Sequence, residues 1–216
     1  MACRALQLAV VAMLAACGTA VGAEFTAEIT DRDGRPVADA VVMLVPEDSD
    51  GASTGPQLDS PWVVDQRDEV FIPFVTIVPR GGSVVFTNND RTMHQVYSFS
   101  ETKQFELTLA YEQESDPVVF DRPGVAALGC NIHDHMIAYV FVADSPWTAR
   151  TGSDGRMQLT DVPAGNYRAQ IWHPRLPPIG DIPARGVVIG VEPATLSAVI
   201  RLLPDRSARR MHRGNY

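Results

Sequence analysis

Helical pattern is the first thing missing from this sequence. No stretch of its 216 residues carries a convincing apolar period of roughly 3.6 residues, and no apolar run reaches the ~20 residues a helix needs to cross a bilayer. Coiled-coil heptads and short-period repeats are absent as well. Basic charge is scarce: 18 Lys and Arg against 26 Asp and Glu leave a net charge of −8, which argues against nucleic acid, a ligand that wants a basic face. There is no nucleophile set beside a base and no glycine loop that would cradle phosphate, so the chain is not expected to be an enzyme. What it does have is an apolar fraction of 45%, enough for one or two ordinary cores.

Cysteine is nearly absent, and the N-terminus makes it rarer. Residues 1–23 read as an export signal, with Arg4 as the basic region, an apolar run from Ala5 to Ala16, and the small-residue end Val21-Gly22-Ala23. A rival cut at Leu14-Ala15-Ala16-Cys17 resembles a bacterial lipoprotein signal and would leave a lipid anchor on Cys17. Strand-like sequence begins at Phe25 and leaves little tether, which favours the cut after Ala23. Either cut places the protein in the periplasm or cell envelope. After cleavage at Ala23, Cys130 is the sole thiol, and an unpaired thiol in an oxidising compartment is a liability unless buried or ligated. Loss of Arg4 from the 18 basic residues leaves 17 against 26 acidic ones, a net charge of −9. The arginines of the tail, Arg206, Arg209, Arg210 and Arg213, read as a solvated terminus.

From Phe25 onward, short alternating runs are broken by Gly, Pro and Asp at close intervals, the pattern of an all-β sandwich. Phe25, Ala27 and Ile29 alternate with polar residues, Asp31 to Pro36 supplies a turn, and Ala40 to Val45 returns as a buried run. Pro46 to Ser60 has nothing to bury and reads as a linker or long loop. Phe71 to Phe86 holds two strands around the turn Pro79 to Gly82, and Asn88-Asn89-Asp90 ends the second. Glu101 to Gln113 resembles a helix at first, but Phe105, Leu107, Leu109 and Tyr111 repeat at every second residue, which predicts a strand with one face buried. Val118 to Phe120 and Val125 to Leu128 lead into Cys130, and Ile137 to Val142 is β-branched and aromatic. Beyond Asp144 to Trp147 come a hairpin around Ser153 to Arg156, a turn at Pro163 to Asn166, and strands at Tyr167 to Trp172, Gly186 to Val191 and Leu196 to Leu203.

The chemistry concentrates in Cys130-Asn131-Ile132-His133-Asp134-His135-Met136, read with the upstream His94. Two imidazoles and a thiolate in a plane, with a weak axial thioether, are the donor set of copper electron-transfer sites. His94, Cys130 and His133 are the candidates for the plane and Met136 for the axis. The spacing Cys-x2-His-x2-Met folds back as one short loop around a point that a remote histidine must close. In an extended backbone His135 points the same way as His133 and could replace it, while in a bent loop it sits at the rim. His94, Cys130, His133 and His135 would also make a tetrahedral zinc set, although zinc has no need of a thioether. The five histidines, at 94, 133, 135, 173 and 212, are too few for a blue site plus a multicopper cluster. His173 reads as a structural corner, and Asp65 and Glu69 as single acids on a loop.

The segment from about Phe71 to Ala143 resembles the cupredoxins, the small blue copper proteins, and within them the plastocyanin and amicyanin type. Val75 to Asn88 is similar to the family's paired early strands, and Met93-His94-Gln95-Val96 to the stretch that carries its first histidine ligand. Pro123-Gly124 ahead of Cys130 matches the approach to the thiolate, Cys130 to Met136 the short amicyanin-like loop, and Ile137 to Val142 the closing strand. The resemblance implies a Greek-key β-sandwich holding one type 1 copper ion through His94, Cys130, His133 and Met136. Two places depart from the pattern: Ala126 and Gly129 stand where the family usually has an aromatic, and Gln95 stands where it commonly has Asn. Packing over the sulfur and the brace on the first histidine are therefore expected to differ.

The flanks, Phe25 to Val45 and Ala149 to Leu203, resemble the two halves of a second small β-sandwich of the transthyretin-like or carboxypeptidase-regulatory-like kind. The whole is similar to bacterial envelope proteins labelled methylamine utilization protein, a family label that names no substrate. The implied division is a signal peptide (1–23), a first half-sandwich with linker (24–60), a cupredoxin-like copper domain (61–143), a second half-sandwich (144–204) and a basic tail (205–216). The copper domain is then either inserted into a split sandwich or one of two tandem domains. The expected function is an exported one-electron carrier serving a redox partner protein. The same donors would suit an envelope copper storage or delivery protein, and without metal the chain would be a β-sandwich interaction module.

Overall fold

The computed structural model describes residues 22–48, 62–177 and 183–204; most of the export signal with Cys17, most of the linker and the arginine tail lie outside them. Among the described residues there are sixteen strands and no helix, so the protein is all-β.

Strands from the two ends of the chain build one pair of sheets. β1 (Ala23–Thr30) lies between β13 (Arg156–Val162) and β16 (Ala194–Val199), and the facing sheet runs β12 (Thr148–Arg150), β2 (Val41–Pro46), β14 (Gly165–Trp172), β15 (Ala184–Ile189). The alternation of β1 explains its place, since Phe25, Ala27 and Ile29 are fully buried against Leu44, Ala169 and Ile171 while the residues between them face out.

The middle of the chain builds a second pair. One sheet has the order β5 (Val75–Pro79), β11 (Ile137–Ala143), β10 (Gly124–Gly129), β7 (His94–Ser100), β8 (Lys103–Leu109). The other runs β4 (Val70–Ile72), β3 (Trp62–Arg67), β6 (Gly82–Asn88), β9 (Val118–Phe120). The parallel pairings of β5 with β11 and of β3 with β6 join strands that are not consecutive in the chain, which requires crossover connections. Val64, Phe71, Val84, Phe86, Val96, Phe120 and Val140 fill the space between these sheets.

Two strands are apolar on both faces, and they meet at the junction of the sandwiches. In β2, Val42 and Leu44 enter the outer core while Val41 and Met43 turn the other way. In β11, Ala138, Val140 and Val142 face the inner core while Phe141 and Ala143 turn outward to join Val41 and Met43. Trp172 seals the junction, its ring centroid 5.6 Å from Tyr139 and 5.6 Å from Phe141. Both continuous apolar runs thus mark strands buried on two sides.

Several local expectations differ in detail. Asp65 lies within β3, not on a loop, and the short strands β3 and β4 have too little alternation to be legible. Tyr111 lies beyond the end of β8 and is exposed. The Ser153 to Arg156 turn, with Gly155 at φ 74°, passes the chain from the sheet of β12 to that of β13 and does not form a hairpin within one sheet.

Thr151 ties the two ends of the chain together: its buried hydroxyl accepts the Ala40 N–H at 2.9 Å and donates to the Val37 carbonyl at 2.7 Å. Thr151→Val keeps the side-chain shape and leaves both backbone groups unpaired, so urea unfolding should show a loss of about 2 to 4 kcal/mol. A loss below about 0.5 kcal/mol would mean that water replaces the hydroxyl.

Candidate metal centre

Sheet order brings the donors to one end of the inner sandwich. β10 lies between β7 and β11, with Gly129 opposite both Tyr97 and Ile137. Cys130 follows the last residue of β10 and Met136 precedes the first of β11, so the two sulfurs stand at the feet of one loop. The antiparallel register carries Cys130 toward the start of β7, where His94 is the first residue. Side-chain alternation turns His94, Val96, Leu128 and Cys130 inward, and all four are buried. A hydrogen bond from the Met136 N–H to the His133 carbonyl, at 3.0 Å, bends the loop so that His133 points back at His94.

Three donors converge. Nδ1 of His94 is 3.8 Å from Sγ of Cys130 and 3.2 Å from Nδ1 of His133, and the ligand atoms of the three residues all lie within 4.8 Å of one another. A first-row ion with bonds of about 2.0 Å to nitrogen and about 2.3 Å to sulfur separates trigonal donors by about 3.5 to 3.7 Å, close to the two separations made by His94. Met136 is buried in the same apolar cluster as Cys130 and lines the same cavity of about 380 Å3. His135 is turned away, its ring 6.0 Å from that of His133 and one-third exposed, at the rim of the site.

The far edges of the imidazoles explain why the near edges can bind. Nε2 of His94 stands 2.8 Å from Oδ2 of Asp90, and a carboxylate there requires the ring proton on Nε2. Nδ1 then presents a lone pair to the centre. Nε2 of His133 likewise stands 3.4 Å from Oε1 of Glu69. Two imidazole nitrogens 3.2 Å apart need a shared proton or a cation between them, and the nearby thiol adds a donor that suits a soft cation.

Asp90 is itself held in place. Its carboxylate accepts the N–H groups of Asp68 at 2.5 Å and Glu69 at 2.9 Å, and its own N–H donates to the Asn88 side chain at 2.9 Å. Burial by itself would raise the Asp90 carboxyl, but the Glu69 N–H, the His94 ring and the Asp68 N–H outweigh it and hold the group below the ordinary aspartate range. Asn88, fully buried, donates to the carbonyls of Thr92 and Leu109, both at 2.9 Å, and so shapes the loop that carries Asp90.

The glycine before Cys130 has a structural reason. A Cβ on Gly129 would lie 2.7 Å from Cζ of Tyr97, so the glycine makes room for an aromatic ring supplied by the neighbouring strand. Tyr97 lines the cavity with Cys130 and Met136. From sequence, Asp90 reads only as part of a turn and Glu69 as a loop acid, and Tyr97 gives no sign of a role. Only the i,i+4 spacing of Asp90 and His94 offered a signal, whereas Glu69 and Tyr97 come near only through sheet pairing. His173 lies elsewhere, with its Nδ1 accepting the Arg175 N–H at 3.0 Å, as suits a structural corner. Asp65 is taken up by Thr87, Asn89 and Arg67.

No family model and no curated protein matches the chain. Among solved structures it is similar to a copper-containing nitrite reductase from Thermus scotoductus SA-01, at 23% identity over 43% of this chain and 24% of that one, with a TM-score of 0.37. It is also similar to a reduced Cu(I) form of an amicyanin mutant, at 19% identity over 47% of this chain and 98% of that one, with a TM-score of 0.36. A purple cupredoxin from Nitrosopumilus maritimus matches at 21% identity over 38% of this chain and 100% of that one, with a TM-score of 0.34. These likenesses are partial, and the reading of the site rests on its own donors.

Asp90→Ala removes the brace on His94 and should weaken metal affinity about 10- to 100-fold in competition with a chelator; an unchanged affinity would show that the ring is held by packing alone. Gly129→Ala drives a methyl group into the Tyr97 ring and should cost about 1 to 3 kcal/mol in thermal unfolding, relieved when Tyr97→Ala is combined with it.

Proposed function

We propose that this protein is an exported type 1 copper protein that carries one electron at a time between partner proteins and is not an enzyme. The observation that carries this reading is the convergence of Nδ1 of His94, Nδ1 of His133 and Sγ of Cys130 on one point at the end of a packed β-sandwich. Met136, buried in the same cluster as the thiol, would be the fourth donor, a weak thioether. A copper ion held there would supply one-electron exchange between Cu(II) and Cu(I).

The chain's own groups account for the rest of the design. Asp90 keeps the His94 proton on Nε2 and its lone pair on the metal side. Burial of His94, Cys130 and Met136 keeps water away from the donors. Donors fixed by two strand ends and one short loop leave little room to rearrange between oxidation states, which favours fast transfer. Export is supported by the signal-like residues 1–23 and by the single free cysteine among the described residues, Cys130, which metal ligation would protect. The periplasm or cell envelope is the proposed location.

Colour tests the reading. Purified protein given Cu(II) should turn intensely blue through thiolate-to-copper charge transfer, Cys130→Ser should abolish the band, and voltammetry of the blue form should be reversible. Colourless binding with a preference for Cu(I) would point instead to storage or delivery, zinc retained against copper to a structural site, and no binding at all to a metal-free interaction module.

A further inference from the structure

Glu69 stands on the two-residue turn between β3 and β4, on the sheet that faces the one supplying His94. Asp68 and Glu69 both have positive φ, 52° and 56°. A turn with two left-handed residues favours Asn-Gly or Asp-Gly, so a glutamate in the second position carries a backbone cost that glycine would avoid. The turn holds because the Asp90 carboxylate accepts both of its N–H groups. Its effect is to place the glutamate carboxylate between two imidazoles, with Oε1 3.4 Å from Nε2 of His133 and Oε2 3.4 Å from Nε2 of His135. An unfavourable backbone conformation retained beside a functional site is grounds for assigning it a role there.

We propose that Glu69 is a positioning residue for His133: its carboxylate bridges His133 and His135, holds the His133 proton on Nε2, and fixes the more exposed of the two histidine donors against the facing sheet. The inference rests on the copper reading above. Through Asp90, the same turn is tied to His94, so a single polar strut braces the outer edges of both imidazoles. His135 has a defined place in this arrangement as the second anchor of the bridge and not as a ligand. The carboxylate is also an anionic charge close to the metal, and it favours Cu(II) over Cu(I) because the more highly charged ion gains more from it.

Two substitutions separate this role from a purely structural one. Glu69→Gly suits the turn better than glutamate does, so the fold should be as stable as wild type or more so; Glu69→Gln keeps the side-chain shape and removes the charge. Both should lower Cu(II) affinity about 10- to 100-fold in chelator competition. Their reduction potentials should rise, and a tenfold loss of preference for Cu(II) over Cu(I) corresponds to about 59 mV. Cu(II) affinity within about twofold of wild type in both variants, with an unchanged potential and blue band, would leave Glu69 as an ordinary surface acid while the copper reading stands. A wild-type protein that binds no copper would overturn both.

Discussion

The hydrogen bond between Asp90 and Nε2 of His94 is the contact on which the rest of the site depends. An imidazole can turn either nitrogen toward a partner, and in a fully buried ring that choice must be made by the protein. Asp90 makes it for His94, and the Asn88 amide makes the loop that holds Asp90. The Asn88 amide itself is matched to the carbonyls of Thr92 and Leu109 and to the Asp90 N–H, so the loop is held without an apolar core of its own. Because Asp90 also receives the N–H groups of the β3–β4 turn, one carboxylate joins elements from both inner sheets.

The candidate metal centre is otherwise a product of strand ends. β7, β10 and β11 each end or begin at the same edge of the inner sandwich, with His94 at the start of β7, Cys130 just after β10 and Met136 just before β11. Donors anchored this way move only as far as the sheet moves, which is little in a core filled by Phe86, Val96, Phe120 and Val140. The outer sandwich adds to that rigidity, because β11, which follows directly on Met136, is packed on its second face against Val41, Met43 and Trp172. The second sandwich thus buttresses the strand that carries one end of the donor loop.

A glycine directly before Cys130 looks in isolation like a gap in the packing. In the structure Gly129 has no side chain where Tyr97, directly opposite, lies across it. Neither residue could be assigned that role alone, since the fit exists only in the register of β7 against β10.

Local pattern alone revealed the all-β class, most of the strands, and the cluster that holds the candidate donors. Period-two burial, turn residues and a dense Cys-His-Met cluster are properties of neighbouring residues, and neighbours are what a sequence displays. The doubly apolar runs of β2 and β11 were visible too, although what covered their second faces was not. The meeting of His94 with Cys130 and His133, the turning away of His135, the approach of the Asp90 and Glu69 carboxylates to the rings, and the Tyr97 ring over Gly129 were decided by tertiary structure. Apart from the i,i+4 spacing of Asp90 and His94, each depends on sheet order, register and loop bend, which bring together side chains that share no local period.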